Sequence, residues 1–490
     1  MTIDQIIHKI KEHNPEADTT IVSLAYDFAK MAHKGQKRLS GEPYIQHCLH
    51  TAYTLTQIKA DIPTIIAGLL HDVPEDTTYT LKDVEKNFGK EIATLVCGIT
   101  KLSKIKYRGV DRYVESLRKM FLAITSDLRI ALIKFADRLH NLKTLDAQPP
   151  EKQQRIAKET LEIYAPIAGL LGVEHLKWQI EDICFKYIYP EEYKKLEYRY
   201  EVEKKIERNQ YFSRIKNILM KELQNANIDC TINHRFKHLY SIYQKMHEKD
   251  RQFNEIYDVF AMRVVVKDIS DCYKTLGIIH SLWKPAHKRF KDYIGLPKPN
   301  GYRSLHTTVF GPDGRPTEFQ IRTKEMYEEA LYGIAAHWQY KTEGDRRNEH
   351  QPKWITEILE LQKEASSTLD FITQAKIDVF RDRIFVFSPK GDVIDLPIDS
   401  TSVDFAYAVH TDIGNQCSGA IINGKIASLN TPLKNGDVIE IIREKQRKYP
   451  NLSWLKFTKT HRAQSKIKQH SRYSKLGALA NYIPGFPGKN

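Results

Sequence analysis

The sequence predicts a multidomain protein with an all-α domain first, an α+β domain after it and a small β-rich unit near the end. Three observations predict it. The chain has 490 residues, whereas one domain typically takes roughly 100–200. In the N-terminal part, apolar residues recur at three- and four-residue spacing, as in Ile21–Leu24–Ala25–Phe28–Ala29 and Ile130–Ile133, which is a helical period. From about Ile228 the period changes. Short β-rich runs (Ala261–Val266, Thr307–Phe310, Thr317–Ile321) alternate there with amphipathic helices such as Asp271–Leu282.

Each element has a local reason. Pro63 suits the first turn of a helix, and Pro149-Pro150 interrupts one helix before the next begins. The charged stretch from Glu191 to Lys221 reads as an exposed connecting helix. Arg383–Phe387, the turn Pro389-Lys390-Gly391-Asp392 and Val393–Leu396 read as a hairpin, followed by a helix that starts after Thr401/Ser402 and turns Phe405, Ala406 and Val409 inward. The expected domains are 1–196 (all-α), 197–345 (α+β), a helical connector at 346–381, the β-rich unit at 382–443 and a basic tail at 444–490.

Hydrophobic residues make up 41% of the chain and aromatics 10%, enough for packed cores and against wholesale disorder. The formal charge is +14, from 75 Lys+Arg and 61 Asp+Glu. From Arg443 onward there are 12 basic residues against Glu444 alone, so the excess belongs to the tail and suggests a polyanionic partner. The six cysteines are scattered with no Cys-x-x-Cys pair, which argues against a disulfide scaffold or zinc ribbon. The N-terminus lacks the order of a signal peptide, and no stretch approaches the ~18–20 apolar residues of a membrane span. A cytoplasmic location without membrane attachment is expected.

The first chemical constellation is His71-Asp72, at the end of the apolar run Ile65–Leu70 and followed by Val73-Pro74-Glu75-Asp76. Adjacent imidazole and carboxylate offer nitrogen and oxygen to one cation. His47 on an earlier predicted helix and Asp137 on a later one complete four ligands. Such a set, carried on helices, resembles the HD phosphohydrolases. The words AHKGQKRLSGEPYIQH (32–47), HDVPEDT (71–77) and ADRLHNLKT (136–144) narrow the resemblance to the hydrolase domain of RelA/SpoT homologues, which make and degrade the alarmone (p)ppGpp. The resemblance implies Mn²⁺ at His47, His71, Asp72 and Asp137, hydrolytic roles for Glu75 and Asp76, and nucleotide contacts from Arg38, Ser40 and Asn141.

The second constellation lies in HRFKHLYSIYQKM (234–246). Lys237, Ser241 and Lys245 repeat every four residues, so on a helix they share one face, and a basic hydroxyl-bearing face near a helix N-terminus suits a triphosphate. YDVFAMRVVV (257–266) places Asp258 before a buried strand. RFKDYIGLPKPNGYRSLHTTV (289–309) is a Pro/Gly loop with Lys, Tyr and His. EFQIRT (318–323) alternates so that Glu318, Gln320 and Arg322 share one strand face, and AAHWQYK (335–341) follows. These words resemble the (p)ppGpp synthetase domain of the same family, a nucleotidyltransferase-like fold.

That resemblance implies Mg²⁺ at Asp258 and Glu318, with Glu318 also activating the 3′-hydroxyl of GDP or GTP. It implies ATP contacts from Arg235, Lys237, Ser241, Lys245 and Arg263. Tyr302 would stack on guanine, with Lys298, His306, Gln320 and Arg322 lining the site. One departure is His234-Arg235-Phe236-Lys237, where the family usually has Gly-Arg-Pro-Lys; it keeps both charges and makes a hydrolase-only member the alternative enzyme reading.

Residues 382–443 resemble a TGS domain, a small β-grasp fold, in which His410 matches a histidine that meets the tRNA acceptor end in ribosome-linked members. A tRNA or ribosome partner is therefore expected through this unit and the basic tail, and a non-catalytic RNA-binding factor is the third reading. Gly419–Lys425 nearly spells a P-loop, but Ile426 stands where a Mg²⁺-binding Ser/Thr belongs, so a strand entering a turn is expected instead. Long family members continue into further regulatory domains, whereas this chain ends at Asn490 in a Pro/Gly-rich segment.

Overall fold

The structure is a computed structural model. It describes all residues except 104–118, 122, 125, 209–210, 249–251, 254–255, 257–258, 288, 299, 334–382, 445, 448 and 481–490. The expected connector at 346–381, the AAHWQYK segment and the final Pro/Gly segment lie outside the described residues, as does Asp258. The chain forms two compact units, Met1–His350 and Gln351–Asn490.

The first part of unit one is helical: α1 (Ile3–His13), α2 (Thr20–Ala32), α3 (Ile45–Gln57), α4 (Ile62–Leu70), α5 (Val73–Asp76), α6 (Leu81–Phe88), α7 (Lys90–Ser103) and α8 (Leu128–Lys143). Asp61 caps α4 by accepting the Thr64 N–H, and Pro63 sits in its first turn as the sequence suggested. Every residue from Thr64 to Leu70 is buried. At Gly68, α4 runs so close to α3 that an added Cβ would lie 2.5 Å from Leu55 Cδ1. That approach brings the end of α4 up to the middle of α3.

α9 (Pro150–Glu159) continues through a π turn, Thr160–Tyr164, into α10 (Ala165–Leu170). Pro166 explains the turn: its ring and missing N–H do not fit an α-helical register, and the Ala165 N–H bonds back to Thr160 instead. Next come α11 (Glu174–Ile188), α12 (Pro190–Arg208) and α13 (Tyr211–Asn225). The stretch expected as one exposed connector is thus two helices. α13 belongs to a core, because Phe212, Ile215, Leu219 and Leu223 form a buried stripe beneath its charges.

The α+β domain has a mixed sheet. Its strands are β1 (Cys230–Phe236), β2 (Phe260–Val266), β3 (Lys284–Pro285), β4 (Lys291–Asp292), β5 (Leu305–Phe310) and β6 (Pro316–Thr323), in the order β1-β2-β6-β5-β3 with β4 on β5. Among the described strands of this sheet, only β2 and β6 pair in parallel. Three helices accompany it: α14 (Leu239–Glu248), α15 (Ile269–Leu282) and α16 (Lys324–Tyr332). α13 and α15 share one buried cluster with the sheet, including Ile232, Met262, Val264, Leu305, Phe319 and Ile321.

Register explains where the polar residues gather. Asn233 pairs with Arg263, Arg263 with Gln320, Gln320 with His306, and His306 with Lys291. One row therefore crosses five strands, and paired positions put side chains on the same face.

Unit two contains β7 (Arg383–Phe387) and β8 (Val393–Pro397), which form the expected hairpin, then α17 (Ser402–Val409) and α18 (Thr411–Asn415). A three-stranded sheet follows, from β9 (Cys417–Ile422), β10 (Lys425–Ala427) and β11 (Ile439–Arg443). Thr401 and Asp404 cap α17 reciprocally. Phe405 and Ala406 are buried as expected, but Val409 is exposed, because the helix ends there and Val403 and Tyr407 take the inward positions. The near-P-loop is a strand and a tight turn: Asn423 and Gly424 both have positive φ and join β9 to β10.

The chain after β11 packs back on this fold. Trp454, and Ala463 and Ile467 of α19 (His461–Ala480), share a buried cluster with Val403, Ala406 and Tyr407. Asp404, fully buried, gives its second oxygen to the N–H groups of Lys459 (2.9 Å) and Thr460 (2.8 Å) and to the Thr460 hydroxyl (2.9 Å).

Candidate active sites

The helical domain brings its four expected ligands together. His47 lies mid-way along α3, His71 and Asp72 at the end of α4, and Asp137 on α8. His47 Nε2 is 3.2 Å from His71 Nε2, and 3.3 Å from both Asp72 Oδ2 and Asp137 Oδ1. His71 Nε2 is 3.1 Å from Asp72 Oδ2. Ligand atoms of His47, His71 and Asp137 all lie within 4.8 Å of one another, and the three residues are buried.

The electrostatics fit a cation. Burial works against every charge here, yet His71 beside Asp72 and Lys134 beside Asp137 hold both carboxyls well below their ordinary value. Burial likewise opposes a charged His71, but Asp72 and Asp137 push it up to about 9. Two nitrogens and two ionised oxygens converging in a buried place match the donor set of a divalent transition metal. The other imidazole nitrogen of His71 is tied to the Gly68 carbonyl at 2.9 Å, which fixes the ring with Nε2 inward.

The surrounding groups include residues that sequence reasoning missed. Lys134, one turn before Asp137, donates to Asp137 Oδ2 at 2.8 Å. The Tyr44 hydroxyl reaches Asp72 Oδ2 (2.9 Å) and Asp76 Oδ2 (2.5 Å). His140 is buried and forced to a neutral state by burial and by its neighbours His47, His50 and Arg38, its pKa falling to about 2. Its Nδ1 therefore serves as the acceptor for Arg38 at 2.9 Å.

Arg38 also hydrogen-bonds Asn141, which donates to Asp137 Oδ1 at 2.5 Å, so two of the three expected nucleotide residues join the His/Asp cluster. Glu75 is half-buried with Oε1 unpartnered, and burial together with Asp72 raises its pKa. Ser40 stands apart, exposed on the 38–41 turn. ADRLHNLKT contains His140, but its partner Arg38 lies across the helix packing, beyond any local spacing, whereas Lys134 meets Asp137 at a local three-residue spacing on α8.

In the α+β domain, the expected line of residues closes on itself through the sheet face. His306 Nδ1 lies 3.3 Å from Glu318 Oε1, and His306 Nε2 2.7 Å from the Tyr302 hydroxyl. Arg322 donates to Tyr302 (2.7 Å) and to Gln320 (3.0 Å), and Gln320 donates to Glu318 (3.0 Å). Lys298 lies over the Tyr302 ring at 5.4 Å. Arg263 rests on the ring of Tyr327, 4.8 Å away, another contact with no local sequence signal.

Among the described residues of this face, Arg235, Arg263 and Arg322 lie near enough to repel one another. Burial pushes Arg263 down to about 10, reinforced by Arg322 and Arg235, and it lowers Arg322 as well. The Nε atoms of Arg263 and Arg322 are buried without a hydrogen-bond partner. Unpaired buried guanidinium groups are costly unless an anion answers them.

The placement of the 234–246 segment corrects the expectation. Residues 230–236 are strand, so Arg235 is presented from β1 and Lys237 from the connection. Only Ser241 and Lys245 share a helix face. His234 and Phe236 pair regularly with Met262 and Phe260, so the strand runs through to the position where the family usually has proline.

His410 has a structural task. It precedes α18, and its Nδ1 accepts the Asp412 N–H at 3.2 Å while the ring stays exposed. All six cysteines are free thiols. Among the described residues no helix is long and apolar enough to cross a membrane.

Comparison with known proteins agrees with this division. Residues 25–174 match the HD domain family, 234–345 the region found in RelA/SpoT proteins, and 384–443 the TGS domain. The chain is 43% identical over 466 residues to a GTP pyrophosphokinase of Myxococcus xanthus, covering 94% of this chain and 61% of that protein. It is 45% identical to the bifunctional (p)ppGpp synthase/hydrolase SpoT of Escherichia coli K12, with 94% and 66% covered. Against the guanosine-3′,5′-bis(diphosphate) 3′-pyrophosphohydrolase of Aquifex aeolicus the identity is 44%, with 96% and 67% covered. The chain spans about two thirds or less of the length of these relatives. It belongs to the RelA/SpoT family.

Proposed function

We propose that the chain is a bifunctional alarmone enzyme of the cytoplasm. The α+β site transfers pyrophosphate from ATP to the 3′-hydroxyl of GDP or GTP, giving (p)ppGpp and AMP, and the helical site hydrolyses that 3′-pyrophosphate. The observation that carries the reading is the coexistence, in one compact unit, of a buried His/Asp metal cluster and a cation-rich sheet face ending in Glu318.

At the helical site, His47, His71, Asp72 and Asp137 would hold Mn²⁺, which when bound supplies an acidified water and draws charge from phosphorus. The half-buried Glu75 carboxyl, its affinity for a proton raised, suits a group that takes a proton from that water, and Asp76 is oriented by Tyr44. Arg38, locked between His140 and Asn141, presents its guanidinium plane to the nucleotide at little further entropic cost, and Ser40 would reach the nucleotide from the exposed 38–41 turn.

At the sheet face, Arg235, Arg263 and Arg322 repel one another until a polyphosphate arrives, and Lys237, Ser241 and Lys245 extend the same grip. Mg²⁺ at Asp258 and Glu318 would neutralise the transferring group. Glu318 is aimed by His306 and Gln320 and receives the proton of the acceptor hydroxyl. Tyr302 offers its ring to guanine, with Lys298 beside it.

The test is direct. Purified protein with ATP, GDP and Mg²⁺ should release AMP and form ppGpp, and with ppGpp and Mn²⁺ it should release pyrophosphate. Asp72→Ala should abolish hydrolysis, lower bound manganese by elemental analysis and spare synthesis. Glu318→Gln should do the reverse. Hydrolysis surviving in a metal-free Asp72→Ala protein would sink the metal site, and AMP formation undiminished in Glu318→Gln would sink the synthetase assignment. We also propose a tRNA or ribosome partner for unit two, through the exposed His410 ring and the basic segment after Arg443.

A further inference from the structure

The first turn of the helix that carries Ser241 and Lys245 is capped from a distant helix. His238 precedes α14, and its carbonyl accepts the Ile242 N–H, as an N-cap residue's does. Its side chain turns away, stacked on Trp178 of α11 with ring centroids 4.2 Å apart and planes 4° from parallel. The vacated capping role is filled from α11: Asp182 Oδ1 accepts the Tyr240 N–H at 2.9 Å. Asp182 Oδ2 lies 4.0 Å from His238 Nδ1. Burial, and the surrounding cations Arg235, Lys177, Lys237 and Arg263, push His238 down to about 3, so the stack on Trp178 is between two neutral rings.

The same helix α11 holds the other side of α14. Ile242 shares a buried cluster with Phe185, and the Tyr243 ring lies 4.6 Å from the Phe185 ring. Apolar packing fixes the rotation of α14 about its axis, and Asp182 fixes its first turn. Both come from a helix that follows the HD match and precedes the RelA/SpoT match in the chain. Other junction contacts among the described residues, such as Lys59 with Glu328 and Asn300 with the Gly169 carbonyl, land on α16 and the 300 loop instead.

We infer that Asp182 and Trp178 are positioning residues for nucleoside triphosphate binding: they seat α14 so that Ser241 and Lys245 face the polyphosphate in register with Arg235 on β1. This rests on the synthetase reading above. Neither residue touches the reacting atoms, so their loss acts on affinity rather than on turnover.

The experiment measures ATP KM and kcat for pyrophosphate transfer, affinity for a non-hydrolysable ATP analogue by calorimetry, and ppGpp hydrolysis, in Asp182→Ala, Asp182→Asn and Trp178→Ala. Asp182→Ala should raise ATP KM and weaken the analogue by about three- to tenfold, the scale of a lost N-cap, with kcat within about twofold. Asp182→Asn should stay near wild type, because its side-chain oxygen accepts the same N–H, and Trp178→Ala should follow the alanine variant. Hydrolysis at the wild-type rate in all three shows that they fold. Unchanged or tighter ATP binding in Asp182→Ala would overturn the inference, as would failure of the asparagine to restore affinity or loss of hydrolysis alongside synthesis. A wild-type protein that transfers no pyrophosphate, but shows the same affinity differences, would overturn the reaction and support the seat.

Discussion

Glu181 shows what one residue can cost and what it reveals. It is 8% exposed on α11, and burial pushes its carboxyl up to about 7, with Lys177 pulling the other way from 3.9 Å. An acid whose folded pKa is raised holds its proton more tightly in the native state. Its contribution is nil below the unfolded value of about 4.3, and stability is lost as pH climbs to about 7, after which the loss is constant. Glu181→Gln should therefore stabilise the protein at pH 8 by at most about 3–4 kcal/mol, raise the thermal midpoint there and leave it nearly unchanged at pH 4.5. A midpoint equally affected at both pH values would contradict a buried, protonated carboxyl. Legibility at this scale was uneven. His47, His71, Asp72 and Asp137 were readable because a metal set demands those atom types. Tyr44, His140 and Tyr327 were not, because each acts through a partner brought close only by helix or strand packing, and Lys134, though one turn from Asp137, reads from its spacing as an ordinary helix cation.

At the scale of elements, period and capping marked the helices around Ile21, Pro63, Ile130 and Asp271 and the strands at Ala261, Thr307, Thr317 and Arg383, and the errors have physical causes. The charged surface of α13 masked a buried stripe, and a four-residue repeat from Lys237 to Lys245 imitated a helix that starts only at Leu239. Close approach is the part that no pattern announces. α4 meets α3 at Gly68, and its next turn delivers His71 to His47. Gly68→Val should force the two helices apart, costing about 1–3 kcal/mol as overpacking does, and should weaken manganese binding while transfer of pyrophosphate from ATP continues. A Gly68→Val protein that binds manganese as wild type does would show that the helix spacing does not set the site.

For the whole molecule, the charge of +14 resolves into local purposes. Arg235, Arg263 and Arg322 crowd the sheet face, whereas the cations after Arg443 do not all point outward: Arg447 donates to the Cys417 carbonyl at 2.9 Å and rests on Trp454. Arg443, Lys456, Arg462 and Lys468 are exposed. Binding of bulk tRNA, followed by filter retention, should therefore be detectable at 50 mM salt and weaken about tenfold or more by 200 mM, as counterion release from a few phosphates requires. Retention indifferent to salt, or none at 50 mM, would remove the RNA partner.

The bond from Asp404 to Lys459 and Thr460 reaches further than unit two's stability. The TGS match stops at residue 443, but the side chain that caps α17 also anchors a stretch beyond that limit, and Trp454 fills the space against Tyr407. The recognisable module and the piece that can be transplanted are therefore different lengths of chain. Grafted into another protein at 443, it would carry a buried carboxylate stripped of three of its five donors and an open apolar seat. Carried through His470, whose ring meets Asn415 at 3.1 Å, it travels with its own closure.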